Sequence, residues 1–245
     1  MTDTQLLIDI CHRLYNRGMV TATDGNVSVK LPGGNILATR SGINKGMVTA
    51  HDLVEVTIDG TQVSGSGKPS TEIDMHMFIY KQRPDIGAVV HAHPTYATGF
   101  AAARIALDQC VLPEVIVGLG SIPLAGYATP STGEVTESLA PHVMTSEAIL
   151  LANHGVVTYG GTLHDAYFKM EKVEHAAHII FVARMLGGPH VLSSGDIENL
   201  RGISGQSYGK AFTDIPCSTD DSGDDKISDE DVRKYVAAKL QHMLS

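Results

Sequence analysis

The sequence predicts a layered protein of the α/β or α+β class, and three observations lead there. Strand-like and helix-like segments interleave along most of the chain. Two short runs, Gly87–His93 and Ala148–Ala152, are apolar and β-branched enough to be strands buried on both faces. A long periodic run from Thr162 to Leu186 has helical spacing and is stopped by Gly187-Gly188-Pro189. With 43% apolar and 18% charged residues among 245, the chain has material for one sizeable core, and no internal repeat divides it.

Leu6, Leu7, Ile10 and Leu14 recur at helical spacing, which predicts an opening amphipathic helix over 4–17 that stops near Gly18. The β-rich runs Val27–Leu31, Ile36–Thr39 and Leu53–Ile58, separated by glycine turns, predict an antiparallel meander. After the loop Ser64–Pro69, Ile73, Met77 and Tyr80 form one stripe, predicting a helix over Ser70–Gln82 with Ser70 or Thr71 as its cap. Pro94 then opens a helix to about Arg104. Val115–Val117 and Ile122–Leu124 read as short strands, Ser131–Met144 as a helix, and Val156–Tyr159 as a strand after the Asn153-His154-Gly155 turn. One domain over 1–209 is expected. An acidic, flexible linker should follow over 210–227, then a terminal helix over 228–245, with Val232, Tyr235, Val236 and Leu240 on one face.

A net charge of −9 without a basic patch argues against nucleic-acid or membrane-surface partners. The opening MTDTQLLIDI lacks a basic region followed by an apolar run, and no stretch approaches the roughly 20 apolar residues of a membrane span, so a cytoplasmic location is expected. Cys11, Cys110 and Cys217 are distant and odd in number, and are expected to be reduced.

Chemistry is suggested first by the 12 histidines. Residues two apart in a strand share a face, so His91 and His93 should present their imidazoles together, and His154 in its tight turn is the best third ligand. A single histidine at a strand end is more often a hydrogen-bonded core or surface residue. Spacing alone leaves both readings open. Glu72 falls where a helix begins, a place that favours a carboxylate for ordinary dipole reasons. The same helix start, with Ser70 and Thr71, and the small-residue turns Gly25-Asn26 and Ser41-Gly42, offers donors suited to a phosphate.

In order, Asp24-Gly25-Asn26-Val27-Ser28, Arg40-Ser41-Gly42-Ile43, Lys68-Pro69-Ser70-Thr71-Glu72, His91-Ala92-His93, Ser121-Ile122-Pro123 with Tyr127-Ala128-Thr129, and Asn153-His154-Gly155 resemble the class II aldolase/adducin family over roughly residues 4–205, most closely its L-fuculose-1-phosphate aldolase branch. The resemblance implies a three-layer α/β/α sandwich around a mixed, mainly antiparallel sheet, assembled as a homotetramer with sites at subunit interfaces. It implies zinc on His91, His93 and His154, with cobalt, manganese or iron as other occupants of three imidazoles. It places the catalytic carboxylate on Glu72 and the substrate phosphate on Gly25, Asn26, Ser41, Gly42, Ser70 and Thr71.

The activity so implied is reversible cleavage of a ketose 1-phosphate, the phosphorylated sugar substrate, to dihydroxyacetone phosphate and an aldehyde. Two positions depart from the pattern. Leu112 stands where the aldolases carry a tyrosine proton donor, and Glu114 resembles the acid/base glutamate of related dehydratases. Tyr208 or Tyr235 is a conjectural substitute. Pentulose-5-phosphate 4-epimerisation, 3-oxo-tetronate 4-phosphate decarboxylation and dehydration are alternatives within the superfamily. A non-catalytic adducin-like assembly module is the alternative outside catalysis.

Overall fold

Along Ala88–Ala92 and Gly155–Gly160 every residue is buried, because helices cover both faces of the strands they form. The computed structural model describes residues 2–208, in which eight strands make one sheet. They are β1 (Asn26–Lys30), β2 (Ile36–Thr39), β3 (Leu53–Val56), β4 (Gln62–Ser64), β5 (Ala88–Ala92), β6 (Leu124–Ala125), β7 (Ala148–Leu151) and β8 (Gly155–Gly160), in the spatial order β4-β3-β2-β1-β5-β8-β7-β6. Every pairing is antiparallel except β6 with β7. The sheet is therefore mixed and mainly antiparallel, as expected.

The helices are α1 (Asp3–Asn16), α2 (Ile73–Gln82), α3 (Thr95–Ala102), α4 (Pro113–Gly118), α5 (Gly133–Leu139), α6 (Leu163–Met185) and α7 (Ser194–Tyr208). Alternate strand residues sort into two cores. Val27, Ala88, Val90, Ala148, Leu150 and Val156 pack with α1, α3, α4 and α6. Val89, Ile149, Leu151, Val157 and Tyr159 pack with α2 and α5. The result is a three-layer α/β/α sandwich, with α1 capped by a reciprocal Thr2–Gln5 box.

Four details differ from the sequence reading. Val115–Val117 is helical, within α4, since Pro113 sits in that helix's first turn and the Ile116 and Leu119 N–H groups donate to the Leu112 and Val115 carbonyls. The helix expected from Ser70 starts at Ile73, with Glu72 at the N-cap and no side-chain cap bond. α7 went unread because its glycines and polar residues carry little periodicity; it is held by Ile197, buried against Cys110 and Ile116. Cys110 is disulfide-bonded rather than reduced, while Cys11 is a buried free thiol, since distant spacing does not reveal which cysteines meet. The expected linker over 210–227 and helix over 228–245 lie outside the described residues. No helix among the described residues is long and apolar enough to cross a membrane.

Candidate metal centre

His91 leaves β5 on the α2 side of the sheet, fully buried. Its Nδ1 lies 2.9 Å from the Val156 carbonyl of β8. A carbonyl only accepts, so Nδ1 carries the hydrogen and Nε2 presents a lone pair. His93 stands just past the end of β5, where its backbone N–H donates to Met19. Its Nε2 comes to 3.0 Å from that of His91.

His154 arrives from the turn between β7 and β8. Asn153, at φ 57°, takes the left-handed conformation that asparagine tolerates, and its N–H donates to Ala101 while its Oδ1 accepts from Arg104 at 2.8 Å. The next glycine is required by crowding. A Cβ on Gly155 would stand 2.5 Å from the His93 ring and 2.6 Å from the Ala92 carbonyl. The three rings close a triangle with centroids 4.9, 4.8 and 5.0 Å apart, and their ligand atoms all lie within 4.8 Å of one another.

Glu72 lies across this triangle, with one carboxylate oxygen 3.1 Å from His154 Nε2 and the other 3.4 Å from His91 Nε2. The Asn26 amide donates to that second oxygen at 2.9 Å. Burial opposes ionisation of Glu72, but His91, His154 and the Asn26 amide outweigh it and hold the carboxyl well below its usual range. Burial pushes His91 down to about 3 against the pull of Glu72, and it lowers His93 as well, which favours the neutral imidazole, the form that ligates. Asp24 stands 3.8 Å from His93 Nδ1. Three convergent imidazoles, one with its tautomer set by a carbonyl, fit a divalent cation with an open position. The Asn26 Oδ1, buried without a partner, marks unfilled polar capacity beside them.

The residues expected to hold phosphate fall on three neighbouring loops. Gly25 takes φ +72° with its Cα against β5, where a Cβ would meet the His91 carbonyl at 2.8 Å. Gly42 takes φ +71° in open space. The Ser41 N–H donates to Lys68, and the Ser70 hydroxyl accepts from the Glu72 N–H at 3.3 Å; Thr71 is exposed. Glu114 is not brought to the triangle; it sits exposed in the first turn of α4, where its carbonyl accepts from Lys172.

Sequence reasoning passed over Lys45, only 2% exposed, whose ammonium donates to the Thr23 and Ile43 carbonyls at 2.9 and 2.8 Å. It ties the Asp24–Asn26 loop to the Ser41–Gly42 loop. A lysine three residues beyond a glycine turn gives no sign of being buried, so no signal pointed to it.

A family model for the class II aldolase and adducin N-terminal domain matches residues 5–181. The chain belongs to the class II aldolase and adducin family. A 3-oxo-tetronate 4-phosphate decarboxylase of Escherichia coli O6:H1 is 36% identical over 198 residues, covering 78% of this chain and 92% of that protein. An L-fuculose phosphate aldolase of Methanococcus maripaludis is 33% identical over 184 residues, covering 75% of this chain and 99% of that one. A solved L-fuculose 1-phosphate aldolase is 34% identical with a TM-score of 0.75, covering 81% of this chain and 93% of its own. Class II aldolase enzymes are generally dependent on a divalent metal, and this member retains a three-histidine group able to bind one.

Proposed function

We propose that this enzyme breaks a carbon–carbon bond in a phosphorylated sugar derivative, leaving dihydroxyacetone phosphate, with His91, His93 and His154 as ligands of a divalent cation, zinc by preference for three imidazoles. The carrying observation is Glu72, within 3.1 and 3.4 Å of two of the three histidines. The cation would supply Lewis acidity toward the hydroxyketone oxygens of the substrate and so stabilise the enediolate left by bond breaking. Glu72, held by Asn26, removes a carbon-bound proton in condensation; in cleavage it first takes up a proton from solvent and then returns it to the nascent carbanion. Gly25, Asn26, Ser41, Gly42, Ser70 and Thr71 would seat the phosphate and so fix which carbon faces Glu72.

Our first reading is retro-aldol cleavage of a ketose 1-phosphate of the L-fuculose type, releasing an aldehyde, and the similarity to L-fuculose phosphate aldolases supports it. A specific observation favours a second reading, decarboxylation of a 3-oxo-tetronate 4-phosphate. An aldehyde leaves only when a hydroxyl proton is removed, which needs a second acid/base group, whereas carbon dioxide leaves a carboxylate without one. Leu112 occupies the place of the tyrosine expected for that duty, half-buried against the core. The 36% identity to a decarboxylase points the same way. Both reactions share the enediolate and the proton from Glu72.

Incubation of the metal-loaded enzyme with each substrate, followed by dihydroxyacetone phosphate together with aldehyde or carbon dioxide, separates the two. Release of dihydroxyacetone phosphate from neither substrate sinks both readings. The homotetramer with sites at subunit interfaces remains part of the proposal, as a place from which the distant Glu114 or a tyrosine of a second copy would reach the substrate. Retention of the three histidines with Glu72 speaks against a purely non-catalytic assembly role.

A further inference from the structure

Asn26 and Ser28 lie on one face of β1, the face opposite Val27 and Val29, which enter the core beneath α1 and α6. At the start of α2, the N-cap Glu72 and His76 are four residues, about one turn, apart. Two residues of strand advance about 6.7 Å and four residues of helix about 6 Å, so the two repeats run in step. The side chains meet accordingly. Asn26 holds Glu72 at 2.9 Å, and the Ser28 hydroxyl lies 2.7 Å from His76 Nδ1. Tyr80, a further turn along, brings its hydroxyl to 2.9 Å from the same Ser28 oxygen. The strand rung is itself set in the sheet, since Asn26 pairs with His91 and Ser28 with Val89.

The second rung is not what packing alone would select. Elsewhere α2 and this face of the sheet pack through an apolar cluster that includes Met77, Ile79, Ile36 and Val89, and an apolar residue of similar volume would fill the place without burying polar atoms. His76 is 1% exposed, and its Nε2 has no hydrogen-bond partner. A buried group left unsatisfied works against stability. What the rung provides is direction: a hydrogen bond fixes the rotation and height of α2, where an apolar contact would let the first turn slide. Glu72 needs such a constraint, because it stands at the N-cap without a cap hydrogen bond and its side chain is turned to the histidines.

We infer that His76 and Ser28 are positioning residues, which act through α2 to hold the Glu72 carboxylate over the histidine triangle. The inference rests on the reading of Glu72 as the proton carrier. The test uses the full-length, metal-loaded enzyme and compares His76→Leu, His76→Asn, Ser28→Ala, Glu72→Gln and the double variant His76→Leu/Glu72→Gln. In His76→Leu, kcat should fall ten- to a hundredfold with KM within threefold and bound metal unchanged. Exchange of a dihydroxyacetone phosphate carbon-bound proton with deuterated solvent should fall in parallel. His76→Asn, which keeps a polar group near Nδ1, should recover most of the loss. In the Glu72→Gln background the His76→Leu penalty should vanish, because a residue acting through Glu72 has nothing left to position.

An equal penalty in both backgrounds, or a folded His76→Leu with native kcat, overturns the inference. Should His76→Leu fail to fold, Ser28→Ala decides by the same two measures in the same two backgrounds. If Glu72→Gln alone is fully active, the reading of Glu72 fails and takes this inference with it. If Glu72→Gln is impaired and the His76 and Ser28 variants are not, only the inference fails.

Discussion

His91 donates through Nδ1 to the Val156 carbonyl at 2.9 Å, and this single bond between neighbouring strands turns Nε2 into a lone-pair donor facing His93 and His154. A metal site built this way depends on each imidazole. His93→Ala is expected to lower zinc affinity by more than the roughly 10–100-fold that loss of an outer-shell partner produces, and to abolish turnover. Metal analysis after dialysis checks it; a stoichiometric, active variant would remove the site from the mechanism.

Gly155 leaves no room for a methyl group. Gly155→Ala would press on the His93 ring at 2.5 Å and the Ala92 carbonyl at 2.6 Å. Overpacking of this sort costs about 1–3 kcal/mol. Here it should also splay His91 from His93 and weaken metal binding. Urea denaturation and zinc titration of one preparation measure both effects, and a variant native in both would show that the turn yields freely.

His76 makes a pH prediction. Burial lowers its folded pKa from 6.5 to about 4, with Glu72 opposing. Below about 6.5 the unfolded chain takes up a proton that the folded one refuses, so stability falls as pH drops toward 4, by about 1.4 kcal/mol per unit from this group. Above about 6.5 it contributes no slope. His76→Asn should therefore show a shallower decline than the native chain between pH 6.5 and 4 in denaturant midpoints, while parallel curves would assign the slope elsewhere.

Lys45→Met removes the ammonium that binds the Thr23 and Ile43 carbonyls. A hydrogen bond from a charged donor is worth about 1.5–3 kcal/mol. Stability should drop by that order, and KM for a phosphorylated substrate should rise more than kcat falls, since both loops tied by Lys45 are proposed phosphate loops. Amide exchange is expected to quicken first at Asp24–Asn26 and Ser41–Asn44. Unchanged exchange there would mean that the lysine does not hold the loops.

Much of the fold was legible because burial imposes a period. The apolar runs of β5, β7 and β8, and the long repeat of α6, follow from strands covered on both sides and a helix packed against them. Val115–Val117 reads as a strand because three β-branched residues suit a buried strand as well as a short helix, and only the backbone bonds to the Leu112 and Val115 carbonyls separate them. For the site, spacing left His91, His93 and His154 open between ligand and core roles, and it was the ordered motifs resembling the family that proposed them together with Glu72. They did not foresee that His93 stands beyond the strand, or that Glu114 lies apart on α4.

By itself, then, the sequence determined the layered α/β plan, the residue types suited to metal ligation, and the glycine and asparagine that let the His154 turn close. These are local properties, set by side-chain chemistry and the φ each residue tolerates. The tertiary structure alone decided which lone pair His91 offers, that Glu72 reaches two histidines, that Lys45 joins two loops, and that Ser28 and His76 lock a helix to a strand. Those depend on contacts between residues up to 82 positions apart, as for Glu72 and His154, and a pairwise approach over such a distance is set by how the layers pack rather than by any period along the chain.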